Sequence, residues 1–306
     1  MKTVVTSPSF CKSKHLVNET NRFLDEVKFN FEGTLFTKSE LINFIGDAES
    51  MIVGLDKIDA EVLDSCKNLQ CISKYGVGLD NIDLEECEKR GIKIGWTGGV
   101  NKLSVAEMTL GYMLSLARNI SLTSNELKSG RWNKNGGFQL SGKTIGIIGV
   151  GNIGKEVVRL LKPFNCRILV NDIIDQTAYY KQNDLIEMPR SEIFEQADII
   201  TFHTTLDKDT YNMVNIESLK TMKPSSFIVN TSRSGVINEE DLKVALKEQV
   251  IAGAAIDVYV TEPPTDYDLL SLPNLICTPH ICGNAKEAVE AMGMSAIKHL
   301  REYYSL

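Results

Sequence analysis

The stretch Thr144-Ile-Gly-Ile-Ile-Gly149-Val-Gly151-Asn152-Ile153-Gly154-Lys155 decides the fold. Its isoleucine-rich opening is the kind of segment that forms a strand buried on both faces, the glycines make a turn, and a helix begins after them. Each glycine has its own steric task. Gly149 permits the tight turn, Gly151 lets the backbone approach a pyrophosphate, and Gly154 lets helix and strand pack closely. The free N–H groups and positive dipole end of that helix then receive the anion. Downstream, Arg167-Ile-Leu-Val-Asn-Asp172 reads as a second strand ending in an acid placed to accept hydrogen bonds from an adenosine ribose. Ile173 and Ile174 follow where an arginine would neutralise a 2′-phosphate, which favours NAD over NADP. A methyltransferase can also use a glycine turn and an acid, and the glycines alone leave that reading open.

Outward from this turn, short Val- and Ile-rich runs alternate with helical periodicity. Before it, strands are expected at Thr3–Thr6, Met51–Leu55, Cys71–Ser73 and Ile92–Trp96, with helices opening near Ser39 and at Asp59–Ser65 and Asp83–Arg90. From Ser104 to about Lys128 runs a long helical segment ended by Gly130. After it come strands at Thr144–Val150, Arg167–Asn171, Ile199–His203, Phe227–Asn230, Ala252–Asp257 and Leu275–Cys277, then a helix from about Ala285 to Tyr303. Two successive βαβ series predict an α/β protein of two doubly wound parallel-sheet domains, and the last helix is able to cross back and complete the first.

The 306 residues exceed the size at which a single core usually keeps growing, in accord with two domains. A net charge of −7 gives no general basic field for nucleic acid or an anionic membrane, so neither partner is expected. The N-terminus, MKTVVTSPSF, is cut by Pro8 and reads as neither a signal peptide nor a membrane span, which makes the cytoplasm the default compartment. Seven cysteines form an odd set without CxxC pairs, so reduced thiols are expected and no metal site.

Three ionisable residues stand beyond three apolar runs: Arg233 in Asn230-Thr-Ser-Arg-Ser-Gly235 after SFIV, Glu262 in Asp257-Val-Tyr-Val-Thr-Glu-Pro-Pro, and His280 in Thr278-Pro-His-Ile. Open α/β sheets bind ligands at such strand ends. Reducing a 2-keto acid requires a cation that anchors the carboxylate and polarises the carbonyl, and arginine's fork matches a carboxylate. It also requires an acid that protonates the oxygen, a task suited to histidine. Glu262 would accept the proton on one ring nitrogen of His280, fixing its tautomer and stabilising the imidazolium. Among the other histidines, His203 follows a strand and is expected at the cofactor cleft, while His15 and His299 are given no role.

Together with Tyr75-Gly-Val77-Gly78-Leu-Asp80-Asn81-Ile-Asp83, Ser104-Val-Ala-Glu107, Thr231-Ser232-Arg233-Ser-Gly235 and Ala255-Ile-Asp257-Val, these motifs cover almost the whole chain. It resembles the D-isomer-specific 2-hydroxyacid dehydrogenases, most closely the phosphoglycerate dehydrogenase branch. The resemblance implies a Rossmann NAD-binding domain (101–280) inserted into a discontinuous flavodoxin-like substrate domain (1–100 and 281–306), with the active site in the cleft between. It implies that Arg233 orients substrate, that Glu262 pairs with His280, and that backbone N–H groups near Val77 and Gly78 hold the carboxylate. NAD contacts are implied for Gly149, Gly151, Asn152, Ile153, Gly154, Asp172, His203, Thr204, Thr231, Ser232, Arg233, Asp257, His280 and Gly283. Lys74, Asn101 and Lys102 are expected near the substrate. Members are usually homodimers built through the segment here at Ser104–Lys128.

Three departures bear on substrate. Gly54 and Leu55 stand where phosphoglycerate enzymes often place a phosphate-binding arginine, and Lys74 and Lys102 are candidate replacements. Cys282 takes a position commonly held by Gly or Ala, where only packing is expected of it. The chain ends at Leu306, so no C-terminal regulatory domain is expected. Glu262, where formate dehydrogenases carry an amide, argues against formate. The expected substrates are 3-phosphoglycerate or a related phosphorylated acid, with glyoxylate or hydroxypyruvate as the alternative. From another class stands an NAD(H)-sensing scaffold like the corepressors of the same family.

Overall fold

β-Branched residues crowd the backbone in helices but pack well on a pleated surface, and the Val/Ile runs of this chain form most of its twelve strands. The computed structural model describes residues 1–306, which divide into one unit of Met1–Asn101 with Asn284–Leu306 and another of Lys102–Gly283. In the first unit β1 (Lys2–Val5), β2 (Glu26–Phe29), β3 (Ser50–Val53), β4 (Cys71–Lys74) and β5 (Lys93–Gly95) form one parallel sheet in the order β2-β1-β3-β4-β5. This is the flavodoxin-type order, with its switch point between β1 and β3.

The closing helix, Lys286–Tyr304, belongs to this first unit. Met292, Ala296, Ile297 and Leu300 are buried on it together with Leu16 and Ile52. Burying an aliphatic side chain of that size contributes roughly 1.5–3 kcal/mol. Ser73 of β4 donates its hydroxyl to the Ala296 carbonyl at 2.7 Å, which fixes the helix along the sheet.

The second unit contains β6 (Thr144–Ile148), β7 (Arg167–Asn171), β8 (Ile186–Glu187), β9 (Ile199–Phe202), β10 (Phe227–Asn230), β11 (Gly253–Ile256) and β12 (Leu275–Cys277). Every pairing is parallel and the order is β12-β11-β10-β9-β6-β7-β8. Chain order reverses between β6 and β9, and ligands of open α/β sheets settle beyond the carboxyl ends at such a reversal.

The expected single helix from Ser104 to Lys128 is two helices, Lys102–Ala117 and Ile120–Lys128. Asn119 breaks it by adopting φ +51, and its side chain donates to the Asn135 carbonyl at 3.1 Å. Asparagine tolerates this left-handed conformation better than most residues. All seven cysteines are free thiols, and no helix is long and apolar enough to cross a membrane.

Candidate active site

Gly149 sits at φ +92 beside β9, and a Cβ there would lie 2.5 Å from the His203 carbonyl oxygen. A Cβ on Gly154 would lie 2.2 Å from the Gly149 carbonyl oxygen. Both positions therefore exclude any side chain. Gly151 is different: nothing lies within 4 Å of the place its Cβ would take. It caps the Asn152–Leu161 helix with no side-chain hydrogen bond, leaving the first-turn N–H groups without a capping acceptor. Asn152 is exposed and Ile153 half-buried at that helix start.

Asp172 follows β7. Its carboxylate accepts the Val150 N–H at 2.5 Å and the Ile174 N–H at 3.0 Å, so one acid ties the glycine turn to the end of the neighbouring strand. A carboxylate has about four acceptor sites, which leaves capacity for ribose hydroxyls. Ile173 and Ile174 beside it are exposed.

His203 and Thr204 follow β9 at the reversal point. The Thr201 hydroxyl lies 3.0 Å from His203 Nε2, while His203 Nδ1 and Thr204 Oγ1 are sealed from solvent with no hydrogen-bond partner. Burial pushes the His203 imidazole down to about 3, so it is neutral at physiological pH. The open space at Gly151, the uncapped helix start and these two orphaned polar atoms fit a dinucleotide laid over the turn.

The chemistry-bearing side chains follow β10, β11 and β12, three adjacent parallel strands spaced about 4.8 Å apart. After β10, Asn230 organises the turn: its Oδ1 accepts the Ser232 N–H and hydroxyl at 3.1 and 2.9 Å, and its Nδ2 donates to the Arg233 carbonyl at 2.9 Å. Thr231 and Ser232 are buried, whereas Arg233 is half-buried and donates from Nη1 to the Ser232 carbonyl at 2.8 Å. No sequence pattern marks Asn230's part beyond its place at a strand end.

After β11, Asp257 is buried and Glu262 ends a loop pinned at two points. The Tyr259 N–H donates to Glu262 at 3.2 Å and the Val260 N–H to Glu239 at 2.7 Å. Burial pushes the Glu239 carboxyl above its usual range, and Asp266, Glu240 and Glu262 add to that. After β12, His280 adopts φ +53 and its Nδ1 lies 3.0 and 2.9 Å from the two Glu262 oxygens. An ionised carboxylate only accepts, so Nδ1 carries the hydrogen of this pair. Gly283 is half-buried just beyond.

In the first unit, Lys74 ends β4 and is 5% exposed. Its ammonium donates to the Gly54 carbonyl at 2.5 Å and to Asn81 Oδ1 at 2.6 Å, so it holds the loops after β3 and β4 together. Val77 accepts the Trp96 indole N–H on its carbonyl at 2.7 Å, and Gly78 is half-buried beside it. Asn101 Oδ1 is buried without a partner; Lys102, the first residue of the second unit, is exposed at its helix start.

A family model described as D-isomer specific 2-hydroxyacid dehydrogenase, NAD binding domain, matches residues 110–282. The chain is 36% identical over 307 aligned residues to a D-3-phosphoglycerate dehydrogenase of Methanocaldococcus jannaschii, covering 99% of this chain and 57% of that protein. It is 38% identical over 275 residues to a glyoxylate reductase of Thermofilum pendens, covering 86% of this chain and 80% of that one. The apo structure of D-lactate dehydrogenase from Escherichia coli superposes with a TM-score of 0.85 at 27% identity, covering 100% of this chain and 97% of that one.

Proposed function

Because the chain belongs to the D-isomer-specific 2-hydroxyacid dehydrogenase family of NAD-dependent oxidoreductases, we propose that it interconverts a small 2-keto acid and its D-2-hydroxy acid through Arg233, Glu262 and His280. The observation that carries this reading is the Glu262–His280 pair just beyond β12, in which the Nδ1–H faces both carboxylate oxygens. With Nδ1 committed to Glu262, the proton exchanged with substrate belongs on Nε2, and the carboxylate stabilises the imidazolium that results when the alcohol is oxidised. The Arg233 guanidinium holds the substrate carboxylate and polarises the keto oxygen. In the first unit, the backbone N–H groups near Val77 and Gly78 are the proposed carboxylate contacts.

The Gly149–Gly154 turn, Asp172, His203, Thr204, the Thr231–Arg233 segment and Asp257 would hold NAD, which would supply the hydride for reduction as NADH or receive it in the reverse direction as NAD+. For the substrate, 3-phosphoglycerate or a related phosphorylated acid stands level with glyoxylate or hydroxypyruvate, the M. jannaschii relative supporting the one and the T. pendens relative the other. Gly54-Leu55, with Leu55 81% exposed, offers no guanidinium at the end of β3 and weighs toward the unphosphorylated glyoxylate or hydroxypyruvate. NADH oxidation across a panel of phosphorylated and plain 2-keto acids separates the two. Absence of turnover with every acid would leave the NAD(H)-sensing scaffold in place of the enzyme. A second copy of the chain is the partner we assign.

A further inference from the structure

We propose that Tyr112, with Cys282 and Thr278, forms a one-way hydrogen-bond chain that fixes the turn carrying His280, which makes Tyr112 a positioning residue for the proton-transfer step. The inference rests on the reading of His280 given above. Neither Tyr112 nor Cys282 has a part in that chemistry, and both are buried, at 4% and 3% exposure.

Proton counting assigns the direction of every link. Asp257 is 1% exposed and sits just beyond β11. Its Oδ1 accepts the Ile281 N–H at 2.9 Å and its Oδ2 the Cys282 N–H at 2.8 Å, so the two residues after His280 hang on one buried carboxylate. Thr278, two residues before His280, donates its hydroxyl to the same Oδ1. A hydroxyl has one proton and a carboxylate only accepts, so the Thr278 proton is committed. The contact between Tyr112 Oη and Thr278 Oγ1 then has a single possible sense, with Tyr112 donating. The phenol oxygen keeps an acceptor site, and the Cys282 thiol donates to it at 3.7 Å.

The chain therefore runs from Cys282 to Tyr112 to Thr278 to Asp257, and closes because the Cys282 backbone donates to the same carboxylate. Hydrogen bonds aligned head to tail polarise and strengthen one another. Burial, chiefly, pushes the Tyr112 phenol and the Cys282 thiol far up, and the negative Asp257 adds to both, so both donors keep their protons. The same burial rules out a nucleophilic or redox task for this thiol.

His280 needs such support because its φ of +53 costs a non-glycine residue about 1 kcal/mol or more. Its N–H donates to the Thr278 carbonyl at 3.0 Å, and the Tyr259 hydroxyl donates to that carbonyl at 2.8 Å. The Lys102–Ala117 helix grips the far side twice, through Tyr112 and through the Ser104 hydroxyl, which donates to the Cys282 carbonyl at 2.6 Å. Without the phenol, Thr278 Oγ1 loses a donor and the Cys282 thiol its acceptor, and the turn is freer to leave its strained conformation.

Steady-state kinetics on the full chain, with NADH and the best keto acid of the panel, test this. Tyr112→Phe should lower kcat about tenfold, leaving the keto-acid KM and NADH Kd within about twofold; tenfold corresponds to about 1.4 kcal/mol of barrier. Cys282→Ala should cost about threefold in kcat, and Cys282→Ser, which keeps a donor, should restore the rate. In a Thr278→Val background Tyr112→Phe should cost no more than about threefold, because the link to Asp257 is already cut and only the thiol's acceptor is left to lose. A wild-type kcat for Tyr112→Phe, a loss confined to KM, or an undiminished loss in the Thr278→Val background would each overturn the proposal. Should Tyr112→Phe not fold, the Cys282 pair decides, and equal rates for Ala and Ser refute it. His280→Ala in the same assay separates the two layers: full activity there sinks the reading of the site itself, whatever Tyr112 does.

Discussion

At His280 the backbone and the ring are held by different groups, which allows orientation and proton transfer to be separated. The backbone is tied to Thr278 and, one residue on, to Asp257, while the ring is tied to Glu262. Removing the ring as His280→Ala leaves the turn's hydrogen bonds in place, so kcat should fall by about 10² to 10⁴ while NADH Kd, read by fluorescence titration, changes less than about threefold. Weak NADH binding by this variant would mean that the ring serves the cofactor rather than the proton. His203 makes the opposite case, a histidine whose charge is forbidden. Its imidazole is pushed from 6.5 to about 3 by burial, so the unfolded chain binds a proton that the folded chain refuses. Stability is then full above pH 6.5 and is lost as pH falls from 6.5 towards 3. Between pH 7.5 and 5.5 this group contributes a loss of about 1.4 kcal/mol, and His203→Gln should lack that component in urea unfolding. Parallel stability curves for the two proteins would show that His203 titrates normally in the folded state.

The glycine turn is the element whose steric logic is most open to test, because its glycines meet different surroundings. Gly154→Ala must push a Cβ into the Gly149 carbonyl and should cost about 1–3 kcal/mol of stability. Gly151→Ala meets empty space, so Tm should shift by no more than about 3 °C while NADH Kd weakens at least about tenfold. Unchanged NADH affinity in Gly151→Ala would place the pyrophosphate elsewhere. This turn was legible in the sequence because buried parallel strands write themselves as β-branched runs and glycines mark the place where backbone must pass backbone. Two edge strands were not legible. In β2 (EVKF) only alternate residues are half-buried, and β8 is two exposed residues long, so neither shows the continuous apolar signature of an inner strand. The break at Asn119 was hidden for another reason: helical periodicity continues on both sides, and the left-handed residue is set by contacts to Asn135 that no local pattern encodes. The Tyr112–Thr278–Asp257 links were invisible in the same way, since they join positions 112, 257 and 278 through the fold alone.

For the molecule as a whole, the feature without an intramolecular explanation is the Ile120–Lys128 helix, on which no residue is buried. Ile120 is 54% and Leu127 56% exposed, and Trp132 in the following segment is 78% exposed. A helix normally hides an apolar stripe, and an exposed one rimmed by polar residues marks an interface. The adjoining Lys102–Ala117 helix is tied into the second unit's core through Val105, Tyr112, Met113 and Leu116, so the exposed helix is presented from a firm base. In a two-fold dimer the same patch serves both partners, so each substitution acts twice. Ile120→Asp with Leu127→Asp should therefore shift the protein from dimer to monomer in analytical ultracentrifugation at micromolar concentration. The separate hydrogen-bond network that holds His280 lies within one copy, so a monomer that still binds NADH is expected. A wild-type protein that sediments as a monomer across the same concentrations would refute the assignment of a second copy to this surface.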